Sequence, residues 1–147
     1  LAVIRLAEYI SEKYGLDKFS TFVKFGKKTV NSKNKLISLL NRLKKQNKTI
    51  VGYGATAKAT TVLNYCDIGT EFVDYIIDTT PLKQGLYTPG MHIPVKSNKE
   101  KIGKPSQQIA LLLAWNYEEA IINKEKLFLK NGGKFLIPIP TPKTISK

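Results

Sequence analysis

Apolar residues recur at helical spacing in the first third of the chain and gather into short continuous runs thereafter. Val3, Leu6, Ala7 and Ile10 fall at i, i+3, i+4 and i+7. That spacing predicts a helix over residues 1–14, which Gly15 would stop. Phe19, Phe22, Val23 and Phe25 follow as an aromatic patch. It is expected on a loop, serving core or inter-domain packing. Leu36, Ile37, Leu40 and Leu43 restore the helical period and predict an amphipathic helix over about residues 30–45.

From Lys48 the pattern changes. Lys48–Val51 reads as a strand, Gly52 and Gly54 as a tight turn, and the segment through Ala57, Ala59, Val62 and Leu63 as a helix ending near Cys66. Phe72–Ile77 predicts a second strand, closed by Asp78. Residues 79–92 hold two prolines and two glycines without a sustained period, and read as a long loop. Ile93-Pro94-Val95 predicts a short strand that its proline confines to an edge. Gln107–Ala114 is an apolar run with little alternation, as in a strand buried on both faces. Glu118–Lys130 reads as a helix, Asn131-Gly132-Gly133 as its cap and turn, and Lys134–Ile139 as the last strand. Alternating strands and helices imply an α/β fold: a doubly wound, mostly parallel sheet with helices on both faces and a helical N-terminal lead-in.

The chemistry gathers at the glycine turn. Residues 52–57 form G-x-G-x-x-A, a loose dinucleotide fingerprint with Ala57 in the third glycine position. The first turn of a helix leaves N–H groups unpaired and favours an anion, and Gly54 lets a phosphate approach the backbone. Lys58 is disfavoured there by the helix dipole unless an anion is bound. Asp78 ends the next strand, where a ribose-binding carboxylate would stand. The same residues also suit a close strand–helix corner with no ligand. Gly52–Lys58, Asp78–His92 and Trp115–Tyr117 each follow a strand, so they converge at the carboxyl edge of the sheet. Trp115 suits packing, whereas Asn116 has no packing role. His92 is the lone histidine.

Composition narrows the classes. The 147 residues suit one domain, and no apolar run is long enough to span a bilayer. One cysteine and one histidine make neither a disulfide nor a zinc site, so no metal is expected here, and a reducing cytoplasm is the expected compartment. Of the net charge of +13, residues 1–48 carry +9 (12 Lys or Arg against three acids) and the rest +4 (12 against eight). The excess is lysine, distant from the glycine turn and without interleaved aromatics, so neither a nucleic-acid nor a membrane partner is expected. A start at Leu1, already in a helical pattern, suggests a piece of a longer protein.

Gly52-Tyr53-Gly54-Ala55-Thr56-Ala57-Lys58 with Leu63-Asn64-Tyr65 resembles the first signature of the C-terminal domain of SAM-dependent nucleotide-sugar C-methyltransferases. Asp78, Pro81, Lys83-Gln84-Gly85, Tyr87, Pro89-Gly90 and His92-Ile93-Pro94 resemble its second. Leu113–Tyr117, and Gly133-Lys134-Phe135 with Pro138, resemble the third and fourth. Ala59 and Thr79-Thr80 depart from the pattern. The resemblance runs from about Phe25 to Pro140.

It implies a Rossmann-like domain over residues 29–147. Residues 1–28 would be a connector from an upstream domain that binds S-adenosyl-L-methionine, with zinc held only in a further N-terminal domain. The implied function is that of the C-terminal substrate-binding domain of a C-methyltransferase acting on a nucleotide-linked keto-deoxysugar or similar small substrate. The fragment alone is expected to be inactive. Gly54, Ala55, Thr56, Ala57 and Lys58 are expected to meet the pyrophosphate. Asp78, Lys83, Tyr87, His92, Asn116 and Tyr117 are expected to line the sugar or nucleoside, with His92 a possible electrostatic helper in catalysis. The alternatives are an NAD(P)-binding oxidoreductase domain and a non-catalytic docking or dimerisation domain.

Overall fold

The computed structural model describes residues 2–97 and 105–147. The expected first helix begins at Leu1, which lies outside the described residues. The chain forms two compact units that divide between Asn34 and Lys35. The sequence placed a boundary after residue 28.

In the leading unit, α1 (Ala2–Tyr14) ends where the Leu16 amide donates to the Ser11 carbonyl at 2.8 Å and the Gly15 amide to Glu12 at 3.1 Å. α2 runs over Phe19–Lys45, so its first part belongs to this unit and its residues from Lys35 to the second. The aromatic patch is therefore helical and not a loop. Phe19, Phe22 and Val23 already have i, i+3, i+4 spacing, and one interior glycine, Gly26, costs a helix only about 1 kcal/mol relative to alanine.

The second unit is a six-stranded sheet of order β3-β2-β1-β4-β5-β6, with β1 (Thr49–Tyr53), β2 (Ile76–Asp78), β3 (Val95–Ser97), β4 (Gln108–Leu112), β5 (Lys134–Ile137) and β6 (Lys143–Ile145). The first five strands are parallel and β6 is antiparallel to β5. This is the doubly wound, Rossmann-like order, which reverses direction between β1 and β4. Those two strands pair from Thr49↔Gln108 to Tyr53↔Leu112.

β4 explains the layering. Ile109, Leu111 and Leu113 face a core with Leu36, Leu40 and Leu43 of α2 and Ala59, Val62 and Leu63 of α3 (Ala57–Cys66). Ala110 and Leu112 face the opposite core, with Phe128 and Leu129 of α5 (Lys126–Lys130) and Phe135 of β5. Alternate side chains of one strand thus fill both faces, as the run of apolar residues implied. Each fully buried leucine or isoleucine here contributes about 1.5–3 kcal/mol.

Several boundaries differ from the sequence expectation. β2 is three residues long because the Phe72 and Val73 amides are spent on the Gly69 carbonyl, at 3.2 and 3.0 Å, before the strand begins. β3 starts at Val95, not Ile93. The predicted helix 118–130 is two, α4 (Glu118–Lys124) and α5, broken at Glu125. β6 returns after the prolines as an additional strand. Among the described residues, no helix is long and apolar enough to cross a membrane.

Candidate functional site

The site lies where the strand order reverses. β1 ends at Tyr53 and enters the turn Gly54-Ala55-Thr56, and Thr56 caps α3 by accepting the Ala59 amide at 3.1 Å. The Thr56 hydroxyl also donates to the Leu113 carbonyl at 3.2 Å, tying the turn to the end of β4. Gly54 has φ +91°, and a Cβ there would stand 3.0 Å from the Ala114 methyl. Both the backbone conformation and the close approach require glycine.

The donors of the turn are largely spent within the protein. The Gly54 amide donates to the Ile77 carbonyl at 2.8 Å. The Ala55 amide donates to Asp78 Oδ2 at 2.7 Å, and Asp78 Oδ1 accepts the Thr80 amide at 2.8 Å. Lys83 Nζ donates to the Ala55 carbonyl at 2.8 Å and stands 3.7 Å from Asp78 Oδ2. Burial raises the Asp78 pKa, but the Thr80 and Ala55 N–H groups and the Lys83 ammonium outweigh it, so the carboxyl lies below its ordinary value. At 8% exposure Asp78 is an internal anchor of the turn. The Ala57 and Lys58 amides, at the first two positions of α3, have no partner among the described residues. Lys58 is exposed, with no ion pair among the described residues.

The loop after β2 is structured. Pro81–Lys83 makes a 3-10 turn, and the chain then folds back antiparallel on itself through Tyr87↔Pro94. The Gly85 and Val95 amides donate to Val95 and Leu86 carbonyls at 2.9 and 2.8 Å. Asn64 Nδ2 fastens the loop to α3 by donating to the Pro89 carbonyl at 3.0 Å. The fold-back and the first turns of α3 enclose a cavity of about 110 Å³. Ala55, Thr56 and Thr60 form one wall. Leu86, Tyr87 and Val95 form the other, with Lys83 beside them.

Of the expected residues, Ala55, Thr56, Lys83 and Tyr87 line this cavity, and Tyr87 is 65% exposed. Gly54 shapes the turn, Asp78 lies behind it, and Ala57 and Lys58 sit on the exposed first turn of α3. His92 is exposed, does not line the cavity, and adopts φ +49°. Asn116 and Tyr117 are exposed on the 3-10 turn after β4, while Trp115 packs against both cores. Sequence reasoning missed Thr60, Leu86 and Val95, which only the fold-back of the loop brings to the cavity. It also missed Tyr53, whose hydroxyl donates to Glu125 Oε1 at 2.8 Å and whose ring meets Phe135 edge-on at 5.8 Å. Burial, the Glu125 hydrogen bond and its negative charge all push the Tyr53 pKa up.

A mostly parallel sheet with a glycine turn and a small cavity at its reversal point defines a Rossmann-like domain. Residues 4–140 match the family described as the C-methyltransferase C-terminal domain, and the chain belongs to that family. It is similar to the C-methyltransferase NovU of Streptomyces niveus, with 46% identity over 99 residues. That similarity covers 67% of this chain and 23% of NovU, so the chain spans about a quarter of that relative's length.

Proposed function

We propose that this chain is the C-terminal substrate-binding domain of a SAM-dependent C-methyltransferase that acts on a nucleotide-linked keto-deoxysugar or a similar small substrate. The observation that carries this reading is the internally locked glycine turn beside an open cavity. A nicotinamide or adenosine site on this fold needs the β2 carboxylate for ribose hydroxyls. Here Asp78 is buried and each of its oxygens is already committed to a backbone N–H group, so it is not placed to receive the ribose hydroxyls of S-adenosyl-L-methionine or NAD. The methyl donor is assigned to an upstream domain, and zinc to a further N-terminal one, with residues 1–28 as the connection.

The remaining groups suit an anionic, hydroxylated substrate. The Ala57 and Lys58 amides and the Lys58 ammonium are placed for a pyrophosphate at the N-terminus of α3. Lys83, Tyr87, Asn116 and Tyr117 are assigned to the sugar or nucleoside, with His92 at the margin. At about 110 Å³ the cavity is well below the ~300–1,000 Å³ of a complete small-molecule site. It suits one part of a substrate whose reacting carbon lies against another domain. C-methylation beside a keto group needs a base and a stabilised enolate. None of these residues is placed as that base. Their role is to bind and orient.

The test is affinity. Lys58→Ala and Asn116→Ala should each weaken binding of dTDP or UDP, Lys58→Ala by about tenfold, the equivalent of ~1.4 kcal/mol. Unchanged affinity in both variants overturns the assignment.

A further inference from the structure

The leading unit carries an apolar surface that the proposed substrate site does not use. α1 buries none of its residues. Val3, Leu6 and Ile10 form a stripe along it, and Val3 is 79% exposed. The start of α2 adds Phe19, Phe22, Val23 and Phe25, with Phe19 83% exposed. Single exposed apolar residues are ordinary, but stripes of aromatic and aliphatic side chains on successive helices mark a contact surface.

We propose that this helical pair docks against the remainder of a longer methyltransferase chain, through an apolar patch there that is rimmed by acidic side chains. The inference rests on the function proposed above. The family match begins at residue 4 and so takes in both helices. The shared segment is 23% of NovU, so a relative of this domain has a much larger body beside it. Charge selects against a second copy as the occupant. Residues 1–34 hold seven Lys or Arg against three acids, a net of +4. Between Phe19 and Asn34 stand Lys24, Lys27, Lys28 and Lys33 with no acid among them. Two such surfaces would press like charges together as water leaves, whereas an acidic rim would pair with Lys24, Lys27 and Lys28 while the phenylalanines fill the apolar centre.

Hydroxyl-radical footprinting of this chain alone and of the full-length gene product tests the surface. Tyr9, Phe19, Phe22 and Phe25 should label severalfold more slowly in the full-length protein. Leu127, exposed on α5, serves as the internal reference. Phe22→Glu with Phe25→Glu should restore fast labelling of Phe19 in the full-length protein. In the isolated chain the pair should leave the unfolding midpoint unchanged. Equal labelling in the two proteins overturns the proposal. So does a dimer of the isolated chain that the double variant dissociates, or co-sedimentation with phosphatidylserine vesicles that the double variant abolishes. Nucleotide titration separates the two claims. Slowed labelling without binding of dTDP or UDP keeps the surface and removes the substrate reading.

Discussion

The Asp78 carboxylate and the Ala55 amide meet at 2.7 Å, joining the end of β2 to the glycine turn after β1. The protein's own anion thereby occupies a donor that a dinucleotide phosphate would otherwise claim. Asp78→Ala would leave the Ala55 and Thr80 N–H groups without their acceptor. Both N–H groups are only partly buried and can turn to water, so this variant should lose roughly 1–3 kcal/mol in denaturant titration.

The same carboxyl gives a pH dependence. Its folded pKa lies below its unfolded value, near 3.9, so its contribution is fully present above about pH 4–5. The contribution fades as pH falls through the lowered folded pKa. Stability measured across the acid range should fall less steeply in Asp78→Asn than in the parent, because amide and N–H contacts do not titrate there.

Tyr53→Phe removes the hydrogen bond to Glu125 and keeps the edge-on ring contact with Phe135. The expected loss is about 0.5–1.5 kcal/mol. Because the folded pKa of Tyr53 is raised, its contribution persists through neutral pH and declines only as pH rises above ~10. In spectrophotometric titration the parent should show a late tyrosine ionisation, and Tyr53→Phe should abolish it.

Gly54→Ala places a Cβ at φ +91° and 3.0 Å from the Ala114 methyl. The left-handed conformation alone costs about 1–2 kcal/mol for an L-residue. The variant should therefore melt lower than the parent and bind nucleoside diphosphate more weakly, since the turn must shift away from Ala114.

Much of the fold was legible in the chain. β1, α3 and β4 follow from an apolar run, a glycine pair and a helical period that agree with one another. Where signals conflicted, the sequence misled. Gly15 and the phenylalanines suggested a loop, but the i, i+3, i+4 spacing of Phe19, Phe22 and Val23 prevailed. Glu118–Lys130 looked continuous because nothing in its period reports that the Glu125 side chain takes the Tyr53 hydroxyl at the break. That each of the three segments follows a strand was legible, but the cavity takes residues from the first two and none from Trp115–Tyr117. The cavity was not legible, because Thr60 and Leu86 meet only through backbone hydrogen bonds of the folded-back loop. Asp78 was expected to face a ligand, and its commitment to Ala55 and Thr80 is a pairing that spacing cannot reveal.

The most direct measurement is a thermal-shift titration of this chain with dTDP, UDP, NAD and S-adenosyl-L-methionine. The substrate-domain proposal predicts a rise with a pyrimidine diphosphate and none with the other two. At a concentration near 100 Kd, linkage supplies about 2.7 kcal/mol, or roughly 5–10 °C for a domain of this size. A rise with NAD or S-adenosyl-L-methionine and none with either diphosphate would contradict it.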